Sequence, residues 1–466
     1  MLLPLSLSQM PQLDFVHRGG HSGFGFNLSL SLRLQGPLSK PALGRALAWV
    51  MRRHEGLRMR LDNSSGRPMQ TFASAADEVA LPIIASNGME DVHAHLTRRL
   101  DEALDLKTRG PLLAELVELA PEDHVLVFIL HHAATDTHAD DLFIRELLQA
   151  VSCFTRGEDP IAQAPMSFSE LVWSEVKAGR KVDAARLAQW RDVLGGSAAA
   201  VPADGTPPPD GTLETGRLLV SSTTPETTRR LEALAATGRI SLTSLLYCVA
   251  MIAAWREFGR PDVRLVVTYS GRDTPQLKTL GAATHRTFPL RVRLDPTMTL
   301  GDLAKRVQGS YIRGSIGSRA PFTYGRVVAQ LATEGAIGSA GGPFTSHDGR
   351  VDLMVTDALI IQSSVPCPID ELRVSRVMPG PLLKQRFEVR DTAEGTEITP
   401  FNVLLRRDLS AEAGHPISFV GVFDTRVVSE STGRALLEQM RGVANEVAAS
   451  DLHSPLTLNH EEKAEA

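Results

Sequence analysis

Hydrophobic and polar positions alternate over residues 26–35, where Phe26, Leu28, Leu30, Leu32 and Leu34 are apolar and most positions between them are polar. A period of two over ten residues predicts a half-buried strand. Ser39 then stands where it can cap a helix whose apolar residues, Leu43, Ala46, Leu47, Val50 and Met51, recur at helical spacing. The basic run Arg52-Arg53-His54 closes it. Leu112 to Leu119 alternates again, and His124 to Leu130 (HVLVFIL) is nearly all apolar, the pattern of a central strand covered on both faces. A short polar loop follows, then a helix marked by Leu142, Ile144, Leu147, Leu148 and Val151.

Similar elements return later in the chain. Ser241–Trp255 is expected as a helix, Val263–Tyr269 and Thr287–Leu294 as strands, and Leu300–Tyr311 as a helix. Strand patterns lie near Val351–Gln362, Phe387–Val389 and Ile417–Phe423, before a closing helix over Thr432–Ala449. Between the two sets, Gly195–Gly216 is rich in Pro, Gly, Ala and Asp and is the best linker candidate. The picture is α/β, with a mixed sheet and helices in each half and no visible repeat. At 466 residues the chain suits two domains, drawn at 1–178 and 179–466. The tail His460–Ala466 is charged and expected to fray.

Composition narrows the functional classes. Hydrophobic residues make up 43% and charged residues 22%, as in a globular protein. A net charge of -5 is small for this length and gives no reason to expect nucleic acid or a membrane as partner. Cys153, Cys248 and Cys367 are scattered and odd in number, which argues against a disulfide framework or a zinc cage and fits a reducing compartment. The start has no basic n-region, and the longest apolar run, Leu245–Trp255, is too short to span a bilayer. A cytoplasmic protein is expected.

Candidate chemistry concentrates at Leu130-His131-His132-Ala133-Ala134-Thr135-Asp136-Thr137. Adjacent strand residues point to opposite faces, so only one histidine of the pair can face a given cavity. Three readings compete. Both histidines can be satisfied core residues. A metal reading recruits His138 and Asp140, but its ligands lie on opposite faces and no carboxylate or cysteine cluster completes the shell. In the third, one neutral imidazole acts as general base.

This stretch resembles the HHxxxDG signature of nonribosomal peptide synthetase condensation domains, within the chloramphenicol-acetyltransferase-like superfamily of CoA-dependent acyltransferases. The resemblance extends from about residue 4 to residue 457. Arg53-His54-Glu55-Gly56-Leu57-Arg58 resembles the family's RHExLR segment, and Val267–Arg272 (VTYSGR) its strand ending in Gly-Arg. Thr287–Arg291 (TFPLR) is similar to NTxPLR with Arg286 in place of the asparagine, and Ala320-Pro321-Phe322 to the PFE region. Leu5–Leu13 matches the opening motif only at Ser6 and Gln9, and Ser167–Trp173 keeps the Trp but has serine where tyrosine and aspartate are usual.

The resemblance implies two chloramphenicol-acetyltransferase-like lobes, each a mixed sheet flanked by helices, forming a V-shaped pseudo-dimer with the active site in a tunnel between them. It implies a free-standing condensation enzyme that joins a carrier-bound acyl thioester to an amine. His132 would be the catalytic base or orienting group, and His131 structural. Asp136 would pair with Arg272 from the other lobe as an architectural contact. No bound cofactor or metal is implied; substrates ride on phosphopantetheine, presented by acyl or peptidyl carrier proteins or as CoA. The acceptor is free or carrier-bound, and the protein is expected to be a monomer. Thr268–Leu280 and Pro366–Gln385 are expected to line the tunnel.

One departure matters. The family glycine after the aspartate is Thr137, whose β-branched side chain disfavours positive φ, so this loop uses an ordinary backbone region or is strained. Ester formation with an alcohol, and a silent module that only docks carrier proteins, are the alternatives; epimerisation ranks lower. Other signals carry less. Gly19-Gly20-His21-Ser22 lacks the upstream helix of a phosphopantetheine attachment site, His54-Glu55 is followed by Arg58 and not by the second histidine of HExxH, and Gly338–Gly342 lacks the lysine of a phosphate loop.

Overall fold

The structure is a computed structural model. It describes residues 2–10, 13, 26–64, 66–179, 184–195, 199–212, 214–318, 324–334, 349–359, 371–377, 386–387, 391–392, 395–396, 401–407 and 415–456. Gly19–Ser22, Ala320–Phe322, Gly338–Gly342, Cys367, the tail from His460 and most of Pro366–Gln385 lie outside the described residues.

The chain folds as a mixed α/β protein of two compact units, each holding one large sheet with helices. The first comprises 1–179 together with 270–285 and 360–383; the second comprises 180–269, 286–359 and 384–466. Two segments drawn from sequence into 179–466 therefore pack with the first unit, and Arg272 belongs to the same unit as Asp136. Gly195–Gly216 is not a connector between units: its described residues lie within the second. There Ala199 and Val201 are fully buried, Val201–Pro202 pairs with Arg350–Val351, and the Gly205 amide bonds Val427 O.

In the first unit the strand Asp123–His131 is the centre of a six-stranded sheet. It pairs antiparallel with Leu112–Ala120 on one side and with Asn27–Ser29 and Leu32–Gln35 on the other. Its alternation fixes what each face meets. Leu126, Phe128 and Leu130 pack with Leu43, Leu47 and Val50 of the helix Lys40–Arg53 and with Phe143, Ile144 and Leu147 of the helix Thr137–Thr155. Val125, Val127 and Ile129 meet Val92, Leu96 and Leu100 of the helix Met89–Asp101. The unbroken apolar run is thus a strand covered on both faces, as the sequence predicts. Ser39 caps its helix as expected, accepting from the Ala42 amide. The strand expected over 26–35 is interrupted at Leu30-Ser31. There the Ser31 hydroxyl accepts the Phe128 amide and the Ser31 carbonyl serves Val377 N, so the regular ladder is replaced locally by a side chain.

The second unit carries a seven-stranded sheet in the order 286–293, 262–269, 353–357, 401–407, 417–424, 216–222, 386–387. The strand Leu353–Asp357 runs parallel to both of its neighbours. The helix Leu242–Phe258, capped by Ser241, is buried on every side from Ser244 to Ala254. It reads as apolar because it is the centre of the unit's core. Among the described residues no single helix is long and apolar enough to cross a membrane.

Candidate active site

The central strand ends at His131, and the chain turns through one 3-10 turn, His132–Ala134, into the helix that begins at Thr137. The two histidines are held in opposite tautomers. His131 is fully buried, stacks at 5.8 Å on the Phe26 ring, and its Nδ1 accepts the Ala133 amide at 3.1 Å. An accepting Nδ1 places the neutral ring's proton on Nε2. Burial and the neighbouring His132 push its pKa down to about 3, so this imidazole stays neutral. His132 is half-buried, and its Nδ1 lies 2.9 Å from the Thr135 carbonyl. A carbonyl only accepts, so Nδ1 carries the proton and Nε2 of the neutral ring is left as a base. Its ring stacks on His285 at a centroid distance of 5.0 Å and an angle of 29°.

Asp136 is the N-cap of the following helix. One carboxylate oxygen accepts from the Ala139 amide at 3.0 Å and from Arg272 Nη2 at 2.7 Å. The other accepts from the Thr284 amide at 2.8 Å; the Thr284 hydroxyl lies 3.1 Å from the same oxygen and has the Ser270 carbonyl closer, at 2.6 Å. Burial pushes this carboxyl up. The Arg272 charge, the Ala139 amide, His285 and the Thr284 amide outweigh it and hold the group below the usual carboxylate range. Arg272 also donates from Nη1 and Nη2 to the carbonyls of Leu277, Leu280 and Ala282, each at 2.7 Å. The pair expected from sequence forms, but Arg272 and Thr284 lie in the 270–285 segment of the same unit. Gly271 is needed beside Arg272: its φ of +71° is left-handed, and a Cβ there would meet Thr284 O at 2.2 Å.

Thr137 takes the ordinary alternative. It is the first residue of a helix, and among the described residues Arg239 is the only non-glycine with positive φ. His138 and Asp140, the other members of the metal reading, are already engaged. His138 Nε2 donates to Lys278 O at 2.8 Å, and Asp140 accepts the Thr135 hydroxyl at 2.5 Å.

Asp140 is a buried carboxyl that the sequence pattern assigns no other task. Burial, the largest influence, raises its pKa to about 7. The Thr135 hydroxyl, Arg376 and Arg272 oppose this, and Asp136 adds to it. A carboxyl whose folded pKa exceeds its unfolded one stabilises most below the unfolded value, near 3.9, and loses that contribution as pH rises. Asp140→Asn is therefore expected to flatten the part of the stability decline that wild type shows between about pH 4 and pH 7. Melting temperature against pH for the two proteins checks this, and parallel curves would contradict it.

The RHEGLR segment supports this site from behind. Arg53 and His54 both bond Glu146, whose pKa falls to about 2; burial opposes the shift and these two partners outweigh it. Glu55 accepts the amide and hydroxyl of Ser169, and Arg58 bonds the carbonyls of Met51 and Ala73. A Cβ on Gly56 would meet Gly281 O at 2.8 Å and Ala134 O at 3.1 Å, so the glycine lets this turn lie against the His132–Ala134 turn. Gly281 is tighter still, since a Cβ there would meet His54 Nδ1 at 2.3 Å and Phe143 Cε1 at 2.4 Å. Gly281→Ala is expected to cost about 1–3 kcal/mol through overpacking. Urea unfolding measures it, and a wild-type midpoint would show that the loop gives way.

Of the opening motif, Ser6 and Gln9 cap one another and Gln9 bonds Gln70, all three fully buried. This holds Ser8, whose hydroxyl donates to His285 O at 2.8 Å. Trp173 is on the helix Phe168–Lys177, whose N-terminus is a Ser167/Glu170 capping box. His285 and Thr284 escape a reading of the sequence, because no local spacing links 284–285 to 132–136.

Strand, turn and capped helix thus define a site with one buried neutral imidazole, one accessible imidazole and a buried aspartate–arginine lock. The sequence profile of the condensation domain matches residues 3–338, and the chain belongs to that family. It is 27% identical over 331 residues to one of the linear gramicidin synthase proteins of Brevibacillus parabrevis, a match that covers 69% of this chain and 6% of that protein. It is 24% identical over 309 residues to enniatin synthase of Fusarium equiseti, covering 65% of this chain and 10% of that one. The chain spans only these small fractions of the curated relatives it matches. Among solved structures, the SgcC5 protein of Streptomyces globisporus superposes with a TM-score of 0.75 at 19% identity, over 97% of this chain and all of that one. The X-domain from teicoplanin biosynthesis gives 0.72 at 21% identity, over 97% and 96%. The first condensation domain of the calcium-dependent antibiotic synthetase gives 0.71 at 18%, over 98% of both. These likenesses establish the fold.

Proposed function

We propose that the protein forms an amide between an acyl thioester and an amine in nonribosomal peptide biosynthesis, with His132 as the proton-handling group. The observation that carries this reading is the tautomer of His132. Its Nδ1–H is bound to Thr135 O, so the lone pair of Nε2 is available to an incoming nucleophile. His131 has its accepting nitrogen occupied by an amide and no solvent access, which suits a structural role.

In this mechanism the amine nitrogen attacks the thioester carbonyl and its N–H proton passes to His132 Nε2. The C–N bond forms, the tetrahedral oxyanion collapses, and the C–S bond breaks. The leaving thiolate takes the proton from the imidazolium, which regenerates the neutral ring. The Thr137 amide belongs to the first turn of a helix, where N–H groups have no intrahelical partner, and is the donor we assign to the oxyanion. The donor is expected on a phosphopantetheine arm, of a carrier protein or of CoA, and the acceptor free or carrier-bound.

An assay with an acyl-carrier thioester and a choice of amine and alcohol acceptors tests the reaction. Amide product is the expected result; ester alone assigns the site to alcohol acyl transfer. Product from neither, together with carrier binding, assigns the protein to docking. That second reading has the teicoplanin X-domain likeness behind it, since one solved structure is a complex of that X-domain with OxyB.

A further inference from the structure

His285 lies outside every motif in the sequence, yet its ring is the one stacked on His132. We propose that His285 is a positioning residue for His132, a flat wall that holds the imidazole at one rotation about Cβ–Cγ. This rests on the reading of His132 as the proton-handling group.

The need for such a wall follows from the geometry. A histidine ring turns broadly about its second side-chain torsion, and one hydrogen bond, Nδ1–H to Thr135 O, fixes only one edge of it. A ring face at 5.0 Å and 29° restricts the remaining swing. The wall itself is built to stay in place. The preceding residue, Thr284, is tied by its amide to Asp136 Oδ2 at 2.8 Å and by its hydroxyl to Ser270 O at 2.6 Å. The carbonyl of His285 takes the Ser8 hydroxyl at 2.8 Å. Asp136 therefore caps the helix after His132 and also sets the residue that flanks it.

The test compares wild type with His285→Phe and His285→Ala, all three first shown to melt alike. Histidine-selective 13C/15N NMR reads the His132 ring without any substrate, its resonances assigned by their loss in His132→Asn. In wild type and His285→Phe the His132 ring shows one tautomer, protonated at Nδ1; in His285→Ala it shows both. Turnover follows, with His285→Phe within about twofold of wild type and His285→Ala about tenfold lower in kcat at an unchanged KM. A His285→Ala protein with the wild-type His132 spectrum overturns the proposal. So does a His285→Phe protein as impaired as His285→Ala, which would assign the role to imidazole chemistry and not to a flat face. Because the spectra need no donor or acceptor, failure to find product bears on the proposed reaction and leaves the positioning test intact.

Discussion

Asp136→Ala is expected to lower the soluble yield and the melting temperature together with activity. The side chain accepts from the Ala139 amide, from the Thr284 amide and from the buried Arg272. Truncation leaves the guanidinium, only 6% exposed, without its counter-charge. Removing one partner of a buried ion pair costs about 3–5 kcal/mol, more than the pair itself contributes over an apolar substitute. For a unit of this size that is roughly a 10 °C fall in the melting transition. The helix cap is lost as well, at about 1 kcal/mol. Asp136→Asn keeps an oxygen for the Ala139 amide but not the charge, so it is expected to fall between wild type and alanine. Calorimetry on the three proteins measures the order. A fully stable yet inactive Asp136→Ala protein would instead place the carboxylate in the chemistry.

His132→Ala is expected to reverse that balance. Its ring is half-buried and is tied by a hydrogen bond to a carbonyl, so its removal costs about 1 kcal/mol of stability. Loss of a positioned proton acceptor costs about 10²–10⁴-fold in turnover. His131→Ala has the opposite signature. It removes a fully buried ring that stacks on Phe26 and accepts the Ala133 amide, so instability comes first and lower activity follows from it. Product formation and melting curves on both variants separate the roles. If His132→Ala turns over like wild type, the base assignment fails while the fold account stands.

Much of the fold was readable wherever one period dominates a segment. The strands Asp262–Tyr269, Arg286–Arg293 and Ile417–Asp424 and the helices Leu242–Phe258 and Glu430–Ala449 lie within a few residues of their expected places. The short strands Met59–Asp62, Met69–Phe72 and Ile83–Ala85 carry too few residues to show a period. Arg53 to Arg58 stood out as a motif, but its task did not. Its side chains reach Glu146, Ser169 and two backbone carbonyls, and its glycine accommodates two other loops. The Gly195–Gly216 stretch misled because Pro and Gly mark irregular backbone, whether packed or solvated. Here Ala199 and Val201 are buried.

At the site, the order of residues was enough to place the strand end that carries the two histidines, and the resemblance paired Asp136 with Arg272 of the Gly-Arg turn. These follow from local periodicity and the resemblance, whereas the cap that Asp136 gives the next helix needed the structure. The tautomer of each histidine required the folded chain, since it depends on whether an amide or a carbonyl faces Nδ1. So did the unstrained helical place of Thr137, the return of residues 270–285 to the first unit, and the cover that His285 gives His132. The last two depend on contacts between residues more than 100 positions apart, which no local pattern along the chain encodes.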